Sequence, residues 1–253
     1  MAKKEYMSLQ GAFHLAPITN GIAGALRELG NIPEFEIEIT ANVIEHQESM
    51  SGNRTTDFVM TTTTGVNFSG QLEKVNKENM KYILSGENFE IPSASVVDSE
   101  LGTVVADQSI LIGAYNLSTV TIKDSTAAPV TVDPSKYSLD PVFGILKFND
   151  VTGLTMPLTI SYTSGAVTQT TIASDLDREY MLFFAGTNTA NGDKVAMKLW
   201  RTQKSPEATF PLIHEELGKY QIQGRAMSDL SKANDSKLGL YGHLVTIPAV
   251  ANP

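Results

Sequence analysis

The stretch PEFEIEITANVIEHQESMSGNRTTDFVMTTTTGVNFSG, residues 33–70, decides how the chain is read. Over 34–44, Glu34, Glu36, Glu38, Thr40 and Asn42 alternate with Phe35, Ile37, Ile39, Ala41 and Val43. Over 57–71, Thr61, Thr63, Asn67, Ser69 and Gln71 alternate with Phe58, Met60, Val66 and Phe68. A period of two sends successive side chains to opposite faces, so each run predicts a strand with one side on a core and one in water. The pair is expected to form a hairpin across a long loop, residues 45–56.

That loop holds ligand-type side chains: Glu45, His46, Gln47, Glu48 and Ser49, then Gly52 and Arg54. A zinc-hydrolase helix needs two histidines four residues apart with a glutamate between them. Here His46 stands alone in a Gly- and Ser-containing segment, and His14, His214 and His243 are scattered. No metal site and no cofactor is predicted. Catalysis has no better footing. Gly21 to Gly24 lacks the dinucleotide fingerprint, Gly218–Lys219 is followed by Tyr220 instead of a hydroxyl that holds magnesium, and no Gly-x-Ser-x-Gly elbow occurs. Asp175 with Asp177, and Asp229 with Asp235, are read as solvated carboxylates at strand ends.

Outward from the hairpin, one helix is predicted in NKENMKYILSG. Asn76 can cap the first free amides, Glu78 suits the first turn, Met80, Ile83 and Leu84 share a face, and Gly86 ends it. The apolar side of the hairpin is its expected partner. GIAGALREL, near the start, reads as a second and weaker helical turn. KVAMKLWRT and KYQIQGRAMS read as strands, and Asn191–Gly192 marks a turn. Trp200, the one tryptophan, is expected to be exposed or covered by a neighbouring subunit. Between helix and C-terminal strands the texture changes to short β runs with sparse charge. The expected division is therefore 1–106 as the first part of a core, 107–171 as an inserted small β-domain, and 172–253 as the rest of the core. The fold class is mainly β: an antiparallel sandwich or half-barrel with one flanking helix and the inserted β-domain.

Composition limits the function. The 253 residues carry a formal net charge of −9, which opposes a surface that grips phosphates but does not exclude one that nucleic acid slides past. There is no cysteine, hence no disulfide, thiolate site or thiol nucleophile. No apolar run reaches the ~20 residues of a membrane helix, and the first residues lack an apolar signal region, so a cytoplasmic product is expected.

In order and spacing, GNIPEFEIEI, EHQESMSGNRTTD, NKENMKYIL, GTNTANGDKVAMKLWRTQ and PLIHEELGKYQIQGRAMSD resemble the tail tube (major tail) proteins of long-tailed bacteriophages. VTIKDSTAAPVTVDPSKYSLDPVFGILKFN is similar to the small β-domain that some of them carry. The resemblance covers most of the chain. It implies a non-enzymatic structural subunit, built into a virion tail in the host bacterial cytoplasm. Subunits would join edge to edge in a ring, usually a hexamer, and rings would stack into a hollow tube for DNA. The implied partners are other copies of the chain and tail proteins such as the tape measure and tail terminator; double-stranded DNA passes without specific binding, and no membrane is involved.

On that reading Glu34, Glu36, Glu38, Thr40, Asn42, Thr61, Thr63 and Asn67 face the lumen, where carboxylates repel phosphates over ~8 Å at physiological salt. Lys198 and Arg225 on neighbouring strands dilute that lining. Glu45, His46, Gln47, Glu48, Ser49, Gly52 and Arg54 form the loop that reaches the next subunit or ring. Alternation alone leaves open an ordinary solvated face and a loop without a partner. A different class of function also stays open: a β-sandwich adhesin or tail-decoration module that uses the insert to recognise a glycan or receptor.

Overall fold

The computed structural model describes residues 6–205, 207 and 209–249. It is mainly antiparallel β with one short α-helix. The first half holds β1 (Leu9–Thr19), β2 (Ile22–Ala23), β3 (Arg27–Gly30), β4 (Glu34–Gln47), β5 (Thr56–Leu72) and α1 (Lys77–Leu84). Then follow β6 (Asn88–Ile91), β7 (Ala94–Gly102), β8 (Ser109–Leu111), β9 (Ser118–Lys123), β10 (Tyr137–Asp140), β11 (Ile145–Phe148), β12 (Leu158–Ser164) and β13 (Val167–Thr170). The last are β14 (Glu179–Asn188), β15 (Lys194–Lys204), β16 (Tyr220–Met227) and β17 (Gly242–Ile247). The chain divides into two compact units, one running up to Glu87 and on from Thr170, the other Asn88–Gln169.

The first unit is one nine-stranded sheet in the order β2-β1-β14-β15-β16-β5-β4, with β3 beside β1 and β17 beside β15. Register explains its core. Leu15 faces Leu182 and Leu182 faces Leu199; Phe13 faces Phe184 and Phe184 faces Met197. Ile222 and Tyr220 of β16, Leu72 of β5 and Tyr82 and Ile83 of α1 complete the same buried cluster. The sheet coils strongly. Phe13 on β1 and Phe35 on β4 have four strands between them in sheet order, yet their ring centroids are 4.2 Å apart. This is a half-barrel whose described strands do not close by hydrogen bonds.

Helix α1 begins where expected, the Asn76 side chain accepting from the Asn79 amide at 2.8 Å. Its buried residues, however, are Asn79, Tyr82 and Ile83, with Met80 and Leu84 only half-buried. It packs on β16 and shares its buried cluster with Leu72 and the half-buried Phe35 of the hairpin. The buried Asn79 joins three segments: its amide donates to the Leu29 carbonyl at 2.7 Å and the Lys74 carbonyl at 2.8 Å, and its oxygen accepts from Arg27. Ser85 takes the left-handed conformation at φ 49°, whereas Gly86 is required because a Cβ there would meet the Thr171 carbonyl. Lys204, buried, donates to the Ile83 carbonyl and to Ser85 Oγ at 3.0 Å, where a cation suits the helix C-terminus. Burial lowers its pKa to about 8.

Two expectations are corrected. GIAGALREL is no helix but holds β2 and β3, because β1 offers an edge to pair with: Ile18 with Ala23, and Leu15 with Arg27. The insert begins at Asn88, well before residue 107. Strand β7 pairs with β12, so it belongs to the second unit; its Asp98 and Glu100 are exposed, and their charge hid that membership. In this unit the sheets β10-β11-β8 and β7-β12-β9 share a core of Val104, Ile122, Val132, Leu146, Phe148, Leu158 and Ile160. Strands β6 and β13 pair separately.

Candidate functional site

The side of the large sheet turned away from its core is the candidate site, together with the free edges and the hairpin that extends beyond it. On the β4–β5 hairpin, Glu34 pairs with Gln71, Glu36 with Ser69, Glu38 with Asn67, Thr40 with Gly65 and Asn42 with Thr63. Directly opposed residues share a face, so all these side chains point away from the core. Two carboxylates are tied across the strands: Gln71 Nε2 donates to Glu34 at 3.1 Å and Asn67 Nδ2 to Glu38 at 3.3 Å.

Thr61 does not join them. The register shifts after Asn42, so that Val43 opposes Thr61 and Thr62 is the extra residue of a bulge. Beyond it β5 has changed parity, and Thr61 lies on the side of Phe35 and Val43. Ile44 then opposes Met60, and His46 opposes Phe58, on the same side as the glutamates. That side is thus acidic at the base of the hairpin and apolar towards its tip.

The core-side residues of β4 also depart from expectation. Phe35 packs on the core, but Ile37 is 39% exposed and Ile39 78% exposed. They oppose Phe68 and Val66, still within the stretch of β5 that β16 covers, Leu72 to Val66, so it is their place on the edge strand that leaves them bare. Beyond that stretch the hairpin is a two-stranded arm, its base held where Tyr241 Oη donates to the Thr64 carbonyl at 2.8 Å. The loop is correspondingly shorter than expected. Glu45, His46 and Gln47 continue β4. His46 Nδ1 meets Asp57 at 2.6 Å across the strands. Glu48, Ser49, Gly52 and Arg54 lie in the turn, with Gly52 at φ 80° and Arg54 at φ 49°. The Glu48 carboxylate accepts from the Ser51 hydroxyl and from the amides of Met50 and Ser51, both at 2.9 Å, and these bonds hold its pKa below the usual range.

Across the rest of the sheet the same side carries mixed charge. One row runs Glu38, Asn67, Arg225, Gln203, Glu179 over five strands. Glu179 receives two bonds from Arg201, at 2.6 and 2.7 Å. A second row runs His14, Phe183, Lys198, His243. That side is therefore not uniformly acidic. Trp200 is covered by its own chain: its Nε1 donates to the Gly239 carbonyl at 3.0 Å, and His243 meets its ring edge-on with centroids 4.9 Å apart.

The sequence reading missed β17. Its Leu244, Val245 and Ile247 are exposed, and the β-branched run Val245, Thr246, Ile247 was the signal for it. The carboxylates weighed as acid–base pairs are engaged locally. Asp175 pairs with Arg178 at 2.6 Å, and Asp229 and Asp235 accept from the amides of Ser231 and Lys237. Among the described residues, no three His, Asp or Glu side chains group to hold a metal ion, and no helix is long and apolar enough to cross a membrane. What the surface offers is hydrogen-bonding edges and exposed apolar side chains on a rigid sheet.

The chain belongs to the family described as protein of unknown function UCP028589, whose model matches residues 6–245. No curated protein matches it significantly.

Proposed function

We propose that this protein is the repeating, non-enzymatic subunit of a bacteriophage tail tube, assembling into stacked rings, of six copies on the family resemblance, around a conduit for DNA. The observation that carries the reading is β4: fourteen residues long, paired among the described residues with β5 alone, and continued as an arm with both faces exposed. A long unpaired edge is an association hazard in a monomer and a joint in an assembly. Here the edge lies on a half-barrel, so head-to-tail addition of copies can continue the sheet around a closed ring, and stacking gives a filament. The bulge at Thr62 and the bare Ile39, Val43, Phe58 and Val59 suit an arm that folds against another copy.

Electron microscopy of the concentrated chain tests this, with end-on averages for symmetry. Hollow tubes or six-fold rings are expected. Monomers at every concentration, with and without phage tail fragments as seeds, would overturn it.

A second reading, an adhesin or decoration module, draws on the second unit. Leu111, Val142, Phe143 and Ile145 are exposed there. The turn bearing them is pinned by bonds from Asn116 to Val142 (3.1 Å), Leu117 to Pro141 (2.8 Å) and Ile112 to Gly144 (2.9 Å). It predicts glycan or receptor capture by a chain that stays monomeric.

A further inference from the structure

We infer that Lys194, Lys198 and Lys232 form a contact strip for the phosphates of duplex DNA, independent of base sequence. Among the described residues, six ammonium or guanidinium groups are paired with a carboxylate: Lys81 with Glu87, Lys123 with Asp98, Lys136 with Asp150, Lys147 with Asp107, Arg178 with Asp175 and Arg201 with Glu179, while Arg27 and Lys204 are held inside the fold by neutral oxygens. These three lysines are held differently. Lys198 Nζ stands 5.0 Å and Lys232 Nζ 5.6 Å from the centroid of the Trp200 indole. Lys194 Nζ donates to Thr187 Oγ1 at 2.7 Å. Among the described residues, none of the three forms a direct ion pair, although Lys232 lies near Asp229, whose carboxyl is held below its usual range by the Ser231 hydroxyl first and by Lys232 in part.

The distinction is chemical. An ion pair fixes a cation and cancels its charge; an aromatic face or a hydroxyl fixes it and leaves the charge on display. Two ammonium groups on one indole repel each other, and a phosphate between them relieves that repulsion. Lys194 and Lys198 project from the same side of β15, four residues or about 13 Å apart at a strand's rise, so they can reach separate phosphates of a strand that carries one every ~3.4 Å along the duplex axis. That side also bears Glu34, Glu36 and Glu38, two of them held by amides as described above, so the wall combines a repelling end with an attracting one. Such a wall holds DNA weakly and lets it move.

The inference rests on reading that side as the wall of a DNA conduit, but its test does not need tubes. Reductive 13C-methylation labels lysines and keeps their charge. Methyl signals, assigned with Lys194→Gln, Lys198→Gln and Lys232→Gln, are followed as a 20-base-pair duplex is added at 50 mM salt. The signals of Lys194, Lys198 and Lys232 should move, while those of Lys123, Lys136 and Lys147 stay. Three phosphate contacts make affinity fall about 40-fold between 50 and 200 mM salt, and the Lys198→Gln chain, with two, falls about 12-fold. Shifts spread evenly over all lysines, shifts matched by poly-glutamate, or no shifts overturn the strip. Tubes without lysine shifts would remove the strip and leave the tube reading standing.

Discussion

Replacing Ile44, Phe58 and Met60 of the arm by threonine separates assembly from folding. These side chains lie together on one side, Ile44 directly opposite Met60, and are 55%, 57% and 46% exposed. None belongs to the buried core cluster. Fully burying such a side chain stabilises by about 1.5–3 kcal/mol, so covering the exposed half in a neighbouring copy contributes about 1 kcal/mol each and about 3 kcal/mol together. Threonine keeps the β preference, and the lost cross-strand contacts cost the monomer about 1 kcal/mol or less. Because every 1.4 kcal/mol is a factor of ten, the critical concentration for assembly should rise roughly 100-fold. Sedimentation of assembled material against total protein measures it, with urea unfolding of the unassembled chain as the control. A critical concentration within threefold of the parent refutes the arm as an adhesive element. A collapsed urea midpoint shows instead that the arm supports the fold.

The remaining predictions concern stability. Asn79→Ala leaves the Leu29 and Lys74 carbonyls and Arg27 without their partner, so urea unfolding should show a loss of about 3–5 kcal/mol; a loss under 1 kcal/mol would remove Asn79 as a joint. Lys204 has a folded pKa of about 8, below its ordinary value of 10.5, so the unfolded chain binds more protons between those values. The stability of the parent chain relative to Lys204→Met should therefore rise as pH goes from 8 to 10.5, when the buried charge is lost. A flat or falling difference in denaturation midpoint would refute the assignment.

Period-two patterning was enough to identify the β4–β5 hairpin, β15 and β16, because alternation is a property of the local chain. The Asn76 cap and the turn at Asn191–Gly192 were legible for the same reason: their hydrogen bonds close within a few residues. Even there the buried face of α1 was displaced, since Asn79 is polar and its burial depends on carbonyls contributed by other segments.

What the sequence could not supply is where neighbours stop. Ile37 and Ile39 continue the pattern of Phe35, yet it is Phe35 that packs on the buried cluster, where the coiling of the sheet brings Phe13 of β1 against it, while the two isoleucines stay exposed. Alternation also assumes unbroken parity, and the bulge at Thr62 reverses it, sending Thr61 to the other side. The boundary at Asn88 depended on which strand β7 pairs with, and the freedom of three lysines depended on which carboxylates came within reach. By itself, then, the sequence determined an antiparallel β-protein with one capped helix, one long hairpin and a β-rich insert, since each follows from side-chain period and local capping. Only the tertiary structure decided which hairpin residues are covered, which edges remain unpaired and which charges are left uncancelled, since those depend on contacts between segments far apart in the chain.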